Sequence, residues 1–149
     1  MVLTLDMALI VPLFIIGLAV VIYVARRTAN IKTSIQDGNK CYWQAQEALN
    51  AEARQICYTD MIACYRKAIK LGSAEAITRM GHVYREGWGV EKDLQQAFAY
   101  YNRAARKSFH EAQYHLSLLY ENGLGVDKDL KKAKHWRQRS QNRRFRVGF

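Results

Sequence analysis

The chain has one proline, three cysteines and only 13 acidic residues. With proline confined to Pro12, nearly every backbone N–H is free to join a helical ladder, and alanine recurs at helical spacings, so an all-α chain is expected. The cysteines, Cys41, Cys57 and Cys64, are odd in number and form no C-x-x-C pair. That excludes a disulfide framework and a cysteine zinc site, and reads as free, mostly buried thiols in a reducing compartment. No serine, cysteine or paired carboxylate stands in a catalytic context. Gly87-x-Gly89 is a lone glycine pair with neither a strand before it nor a phosphate-binding lysine, so it reads as a turn. His110-Glu111 begins like a zinc-protease helix, but the next histidine is His115, five residues on. On one helix that spacing turns the two imidazoles about 140° apart, so they do not ligate together. No catalytic residue, cofactor or metal is expected.

What the chain does carry is positive charge and one long apolar run. Its formal net charge is +10, and every Lys and Arg follows the run, which points to an anionic neighbour. Residues 7–25 are 19 consecutive uncharged positions, MALIVPLFIIGLAVVIYVA. As a helix they span about 28 Å, close to the hydrocarbon thickness of a bilayer, and residues 1–25 are expected to be a transmembrane anchor. A cleaved leader is disfavoured, because no basic segment precedes the run and no small-x-small site follows it. Arg26, Arg27, Lys32 and Lys40 follow the run, which puts the N-terminus outside and the remainder in the cytoplasm of a single-pass protein, with a bacterial inner membrane as the expected location. Residues 26–40 read as a basic juxtamembrane linker: a helix extension whose cations snorkel to headgroups, then a short link at Asp37-Gly38-Asn39.

The rest of the chain repeats. Ala76 and Ala112, Tyr84 and Tyr120, Gly87 and Gly123, Gly89 and Gly125, Val90 and Val126, Asp93 and Asp129, and Ala97 and Ala133 are each 36 residues apart. A strict period in this range is the mark of stacked helical units. In the clearest unit, residues 76–111, Ala76, Met80, Val83 and Tyr84 form one buried stripe, and Ala97, Tyr101, Ala104 and Ala105 the next. Gly87 closes the first helix, and Asp93 with Gln96 makes a box-like cap for the second. An earlier pair is diverged: Cys41, Ala45, Ala48 and Leu49 on one helix, Met61, Tyr65, Ala68 and Ile69 on another, with a turn around residues 55–59 and Gly72 at the end. In the unit 112–141 the positions of Tyr101, Ala104 and Ala105 become Arg137, Ser140 and Gln141, a polar outer face that ends the array.

The pattern Ala76-x3-Met80-Gly81-x2-Tyr84-x2-Gly87-x-Gly89-Val90-x2-Asp93-x3-Ala97-x3-Tyr101-x2-Ala104-Ala105 resembles a Sel-one-like repeat, a relative of the tetratricopeptide class. Residues 112–141 match the same loop glycines, valine, aspartate and the alanines at 112 and 133, and depart at Gly81, where Ser117 stands, and along the last helix; residues 41–72 match weakly. The resemblance implies a short α-solenoid of antiparallel helix pairs over residues 41–141, with a concave face that grips another protein and no catalytic residues.

Specificity is expected at the ends and at one loop. Lys131, Lys132, Arg143, Arg144 and Arg146 belong to a basic C-terminal region, its tail spanning residues 142–149, and Lys131 and Lys132 sit where a helix dipole disfavours cations. Trp88, in a loop tip, is a candidate partner contact; Trp43 and Trp136 read as packing residues. The expected role is a membrane-anchored adaptor or accessory subunit of an integral membrane protein complex, with contact to anionic lipid headgroups. The competing readings are an envelope regulator with an outward-facing repeat domain and a membrane-tethered RNA-binding protein, the last supported only by Phe145 and Phe149 among the tail arginines.

Overall fold

The computed structural model describes residues 7–142, with side chains from residue 15 onward. They form six helices: α1 (Met7–Glu47), α2 (Ala51–Lys70), α3 (Ala74–Glu86), α4 (Leu94–Arg106), α5 (His110–Asn122) and α6 (Leu130–Gln141). Each helix packs mainly on the next in sequence, which stacks the pairs α1/α2, α3/α4 and α5/α6 into a short solenoid. The stripes at Ala76, Met80 and Val83 and at Ala97, Tyr101, Ala104 and Ala105 are fully buried. Alanines allow the backbones to approach, and Tyr101 fills the wider gap between α3, α4 and α5.

The α3–α4 and α5–α6 loops are built alike. Gly87 and Gly123 cap α3 and α5 with left-handed backbones, φ 78° and 68°, and their N–H groups reach Val83 and Leu119. Asp93 accepts from the N–H groups of Gln95 and Gln96, both at 2.9 Å, and Asp129 from Lys132 at 3.0 Å. The reciprocal half of the expected box is replaced: the Asp93 N–H donates to the Tyr84 carbonyl, as Asp129 does to Tyr120, both at 2.9 Å. Each capping aspartate is therefore pinned to the end of the helix before it.

The first pair departs from the sequence reading in three ways. Asp37, Gly38 and Asn39 form no link, because α1 runs through them without a break. Residues 55–59 form no turn; they lie inside α2, and the break comes at residues 48–50, where the Asn50 side chain accepts from the Ala53 N–H at 2.7 Å. Cys41 and Ala45 do face inward, but Leu49 projects fully into solvent. The reason is visible at Gly38. A Cβ there would come within 2.5 Å of the Tyr65 ring, and one at Gly81 within 2.6 Å of the Tyr101 ring. Gly38 is thus the helix glycine of the first unit, facing Tyr65 as Gly81 faces Tyr101. Longer helices and a shorter loop hide the correspondence from a fixed spacing.

Arg27 also differs from expectation. Its Nε and Nη2 donate to the Leu71 carbonyl at 3.0 and 2.8 Å, so it caps the C-terminus of α2. Among the described residues no helix is long and apolar enough to cross a membrane. Residues 1–6 and the side chains of residues 7–14, where the apolar run begins, lie outside the described part, as do Arg143, Arg144, Arg146 and the rest of 143–149.

Candidate functional site

The odd-numbered helices line one face of the array, and a groove of about 390 Å³ opens there. Asn39, Tyr42 and Trp43 come from α1, Tyr65 from α2, Arg79 and His82 from α3, Trp88 from the following loop and Glu111 from α5. The wall is aromatic: Tyr42 lies 4.6 Å from Trp88 and 5.3 Å from Trp43, centroid to centroid. Trp88 is half-buried against Tyr42, so it serves as wall rather than projecting as a loop tip. Trp43, read from sequence as packing, is 64 % exposed and is the free aromatic of the groove. Only its place in the groove, edge-on to Tyr42, distinguishes it, and no sequence spacing reveals that. Tyr65 donates to Asn39 Oδ1 at 2.8 Å, and burial pushes its hydroxyl up to about 12, which keeps it a neutral donor.

The rim loop is held from below. Gln55 Nε2 donates to the Gly89 carbonyl at 3.1 Å, and Gly89 rests so close on Tyr58 that a Cβ would lie 2.5 Å from the tyrosine's own. A larger and more open hollow of about 790 Å³ lies beside this loop, lined by Tyr84 and residues 90–95. It is a by-product of the turn, since Asp93 in its wall is already committed to capping α4.

At the far end of the groove the repeats meet through polar side chains. His82 Nε2 lies 3.4 Å from Glu111 Oε1, and His82 Nδ1 lies 2.9 Å from the hydroxyl of fully buried Tyr101. His115 stacks on Tyr101 at 5.1 Å and meets the His82 ring edge-on at 4.6 Å. Burial, followed by the charges of His82 and Arg85, pushes His115 down to about 4, so its imidazole is neutral near pH 7. The hydrogen bond with His82 holds the Glu111 carboxyl below its ordinary range. His110 and His115 do not converge; His115 meets His82 from the preceding repeat instead.

The other predicted residues have structural places. Val90 and Val126 pack against the hydrophobic clusters. Lys132, whose position conflicted with the helix dipole, lies 3.2 Å from Asp129 Oδ2 and 5.4 Å from the Tyr120 ring centroid, which explains it locally. Lys131 is exposed. Cys41, Cys57 and Cys64 are free and half-buried, and burial above all raises the Cys41 and Cys64 thiols, the opposite of activation.

Comparison with known proteins agrees with this architecture. The family model of the Sel1 repeat matches residues 62–73, 74–109 and 110–140. A Sel1 repeat protein from Oxalobacter formigenes is 27% identical, with a TM-score of 0.65 over 78% of this chain and 44% of that one. A protective antigen of uropathogenic Escherichia coli strains, displaying an SLR fold, is 26% identical, with a TM-score of 0.55 over 58% of this chain and 18% of its own. Cysteine rich protein B of Helicobacter pylori, at 21% identity and a TM-score of 0.56, covers 75% of this chain and 86% of its own and shares the fold. This chain thus spans less than half the length of the first two structures. No curated protein matches it.

Proposed function

The chain belongs to the Sel1 repeat family, and from that premise we propose that it is a membrane-tethered interaction scaffold, an accessory subunit that holds a partner protein in the groove between α1, α3 and α5. The observation that carries this reading is the groove itself. Exposed Trp43, the Tyr42–Trp88 wall and the Arg79 guanidinium offer apolar area beside a cation, the combination that dominates binding at protein interfaces. The partner suited to it presents an apolar side chain next to a carboxylate.

Two features support the tether. Ile15, Ile16, Leu18, Val20, Val21, Ile22, Tyr23 and Val24 are all between 44 and 64 % exposed, at every angle around α1, in a stretch that the repeats do not cover. Covering such side chains is worth on the order of 1 kcal/mol or more each, and a lipid environment does so on all faces. The second feature is charge. Antiparallel pairing brings the C-termini of α2, α4 and α6 to the edge where Arg27 holds α1, and that edge exposes Lys67, Lys70, Arg103, Arg106, Lys107 and Arg139. Such an edge suits anionic headgroups, each cation near the surface contributing about 1 kcal/mol. In this reading the N-terminus is outside and the repeats are cytoplasmic.

The full chain is expected to stay with membranes and, after mild solubilisation, to copurify with one complex in fixed stoichiometry. Trp43→Ala and Arg79→Ala should weaken that recovery without lowering the unfolding midpoint. Recovery only as a free, soluble monomer overturns the reading, and a reporter fused at Phe149 that is active outside the membrane overturns the orientation.

A further inference from the structure

The cluster at the α3–α5 seam has the makings of a ligand set. One donor atom from each of His82, Glu111 and His115 lies within 4.8 Å of the others, although the residues come from two repeats. In tetrahedral zinc sites, bonds of about 2.0–2.1 Å put neighbouring donors roughly 3.4 Å apart. The His82 Nε2 to Glu111 Oε1 separation is already 3.4 Å. His82 has the outer support that metal-bound imidazoles have: in the tautomer that binds a metal, Nε2 gives up the proton it shares with Glu111 and the Nδ1–H is donated to the Tyr101 hydroxyl, 2.9 Å away. Tyr101 is fixed in turn by full burial and by Gly81, whose missing side chain makes room for the ring.

Two cations bear on the cluster. Arg85 Nη1 lies 3.4 Å from His115 Nδ1, but its Nε is bonded to Glu86 at 2.6 Å, and a half-turn of the His115 ring exchanges the nitrogen that faces it. Arg79 shares the groove with His82 and Glu111, and its buried Nε has no partner. A guanidinium there opposes a bare cation but suits one whose fourth ligand is an anion. Glu111 is exposed and His82 lines the groove, so the fourth position faces the binding cavity.

We propose that His82, Glu111 and His115 form a three-ligand site for a divalent transition metal of the zinc class, open at its fourth position to a carboxylate or water in the groove. Bound there, the ion clamps α3 to α5 and gives the groove a point of attachment for an acidic group.

The test is titration of the purified full chain with Co²⁺, read by the visible absorption of a tetrahedral complex and reversed by Zn²⁺. One equivalent is expected to bind. Glu111→Gln and His115→Gln should each weaken binding by about 100-fold, and Tyr101→Phe, which touches no metal, by about 10-fold. His135→Gln, at an exposed position on α6, should leave it unchanged. Melting curves establish that each variant is folded. Absence of a tetrahedral band in the wild type overturns the site. Unaltered binding in folded Glu111→Gln and His115→Gln also overturns it, as does loss of stability in these variants with Co²⁺ binding intact.

Discussion

Gly123 and Gly125 have nearly the same backbone, φ 68° and 69°, yet the fold uses them differently. A Cβ at Gly123 meets nothing nearer than 3.4 Å, so Gly123→Ala carries only the left-handed penalty of about 1–2 kcal/mol. At Gly125 the same atom would lie 2.1 Å from the Leu94 carbonyl oxygen at the start of α4. Gly125→Ala must therefore displace one repeat from the next, and urea unfolding should show it costing clearly more than Gly123→Ala. Asp129 makes a second prediction at this scale. Its hydrogen bonds from the Lys132 and Lys131 backbone N–H groups, with the charge of Lys132, hold its carboxyl below the ordinary value of 3.8. A depressed carboxylate contributes stability that is present above its unfolded value and lost as pH falls through the folded one. Lowering pH from about 6 to about 2 should reduce the protection of the Lys132 amide, measured as its exchange rate relative to an unstructured peptide at the same pH, and Asp129→Asn should flatten that dependence.

Among the elements, α1 differs most from its expected form. The apolar run, the basic stretch and the first repeat helix are one continuous rod. Arg27 fastens that rod to the end of α2, and Ile31, then buried Ser34 and Ile35, begin its contact with the core a few residues later. Whatever holds the apolar part therefore fixes the orientation of the repeats, with no flexible link between them. Arg27→Ala should cost about 0.5–1 kcal/mol, given how exposed the contact is, and loosen the α2 C-terminus in hydrogen exchange. The glycine–tyrosine pairs show that this unit keeps the packing of the later ones beneath a diverged sequence. Gly38 with Tyr65 and Gly81 with Tyr101 make the same contact, and in each the next residue, Asn39 or His82, bonds the hydroxyl. Residues 37–39 have the composition of a turn, and only the ring across from Gly38 shows why a glycine is in a helix.

For the whole molecule, the gradient of burial along the array sets its local stability. α3 and α4 are covered on both sides, whereas α6 buries only Ala133. Arg137 stands at the Tyr101 position and pairs with Glu121 instead of filling a core. Amide exchange should be slowest in α3 and α4 and fastest in α6, with a partner in the groove slowing α1, α3 and α5 together.

The sequence alone determined the period, the loop glycines, the two capping aspartates and the polar final face, because each is a local demand of backbone or solvation that a residue type meets by itself. It also determined that α1 carries more apolar surface than the array covers. The tertiary structure decided what no spacing encodes. It set Trp43 and Trp88 in one groove, made Arg27 the cap of another helix and brought His82 beside Glu111 and His115. Those side chains are brought together by the stacking of one repeat on the next, and a groove between repeats has no address within any one of them.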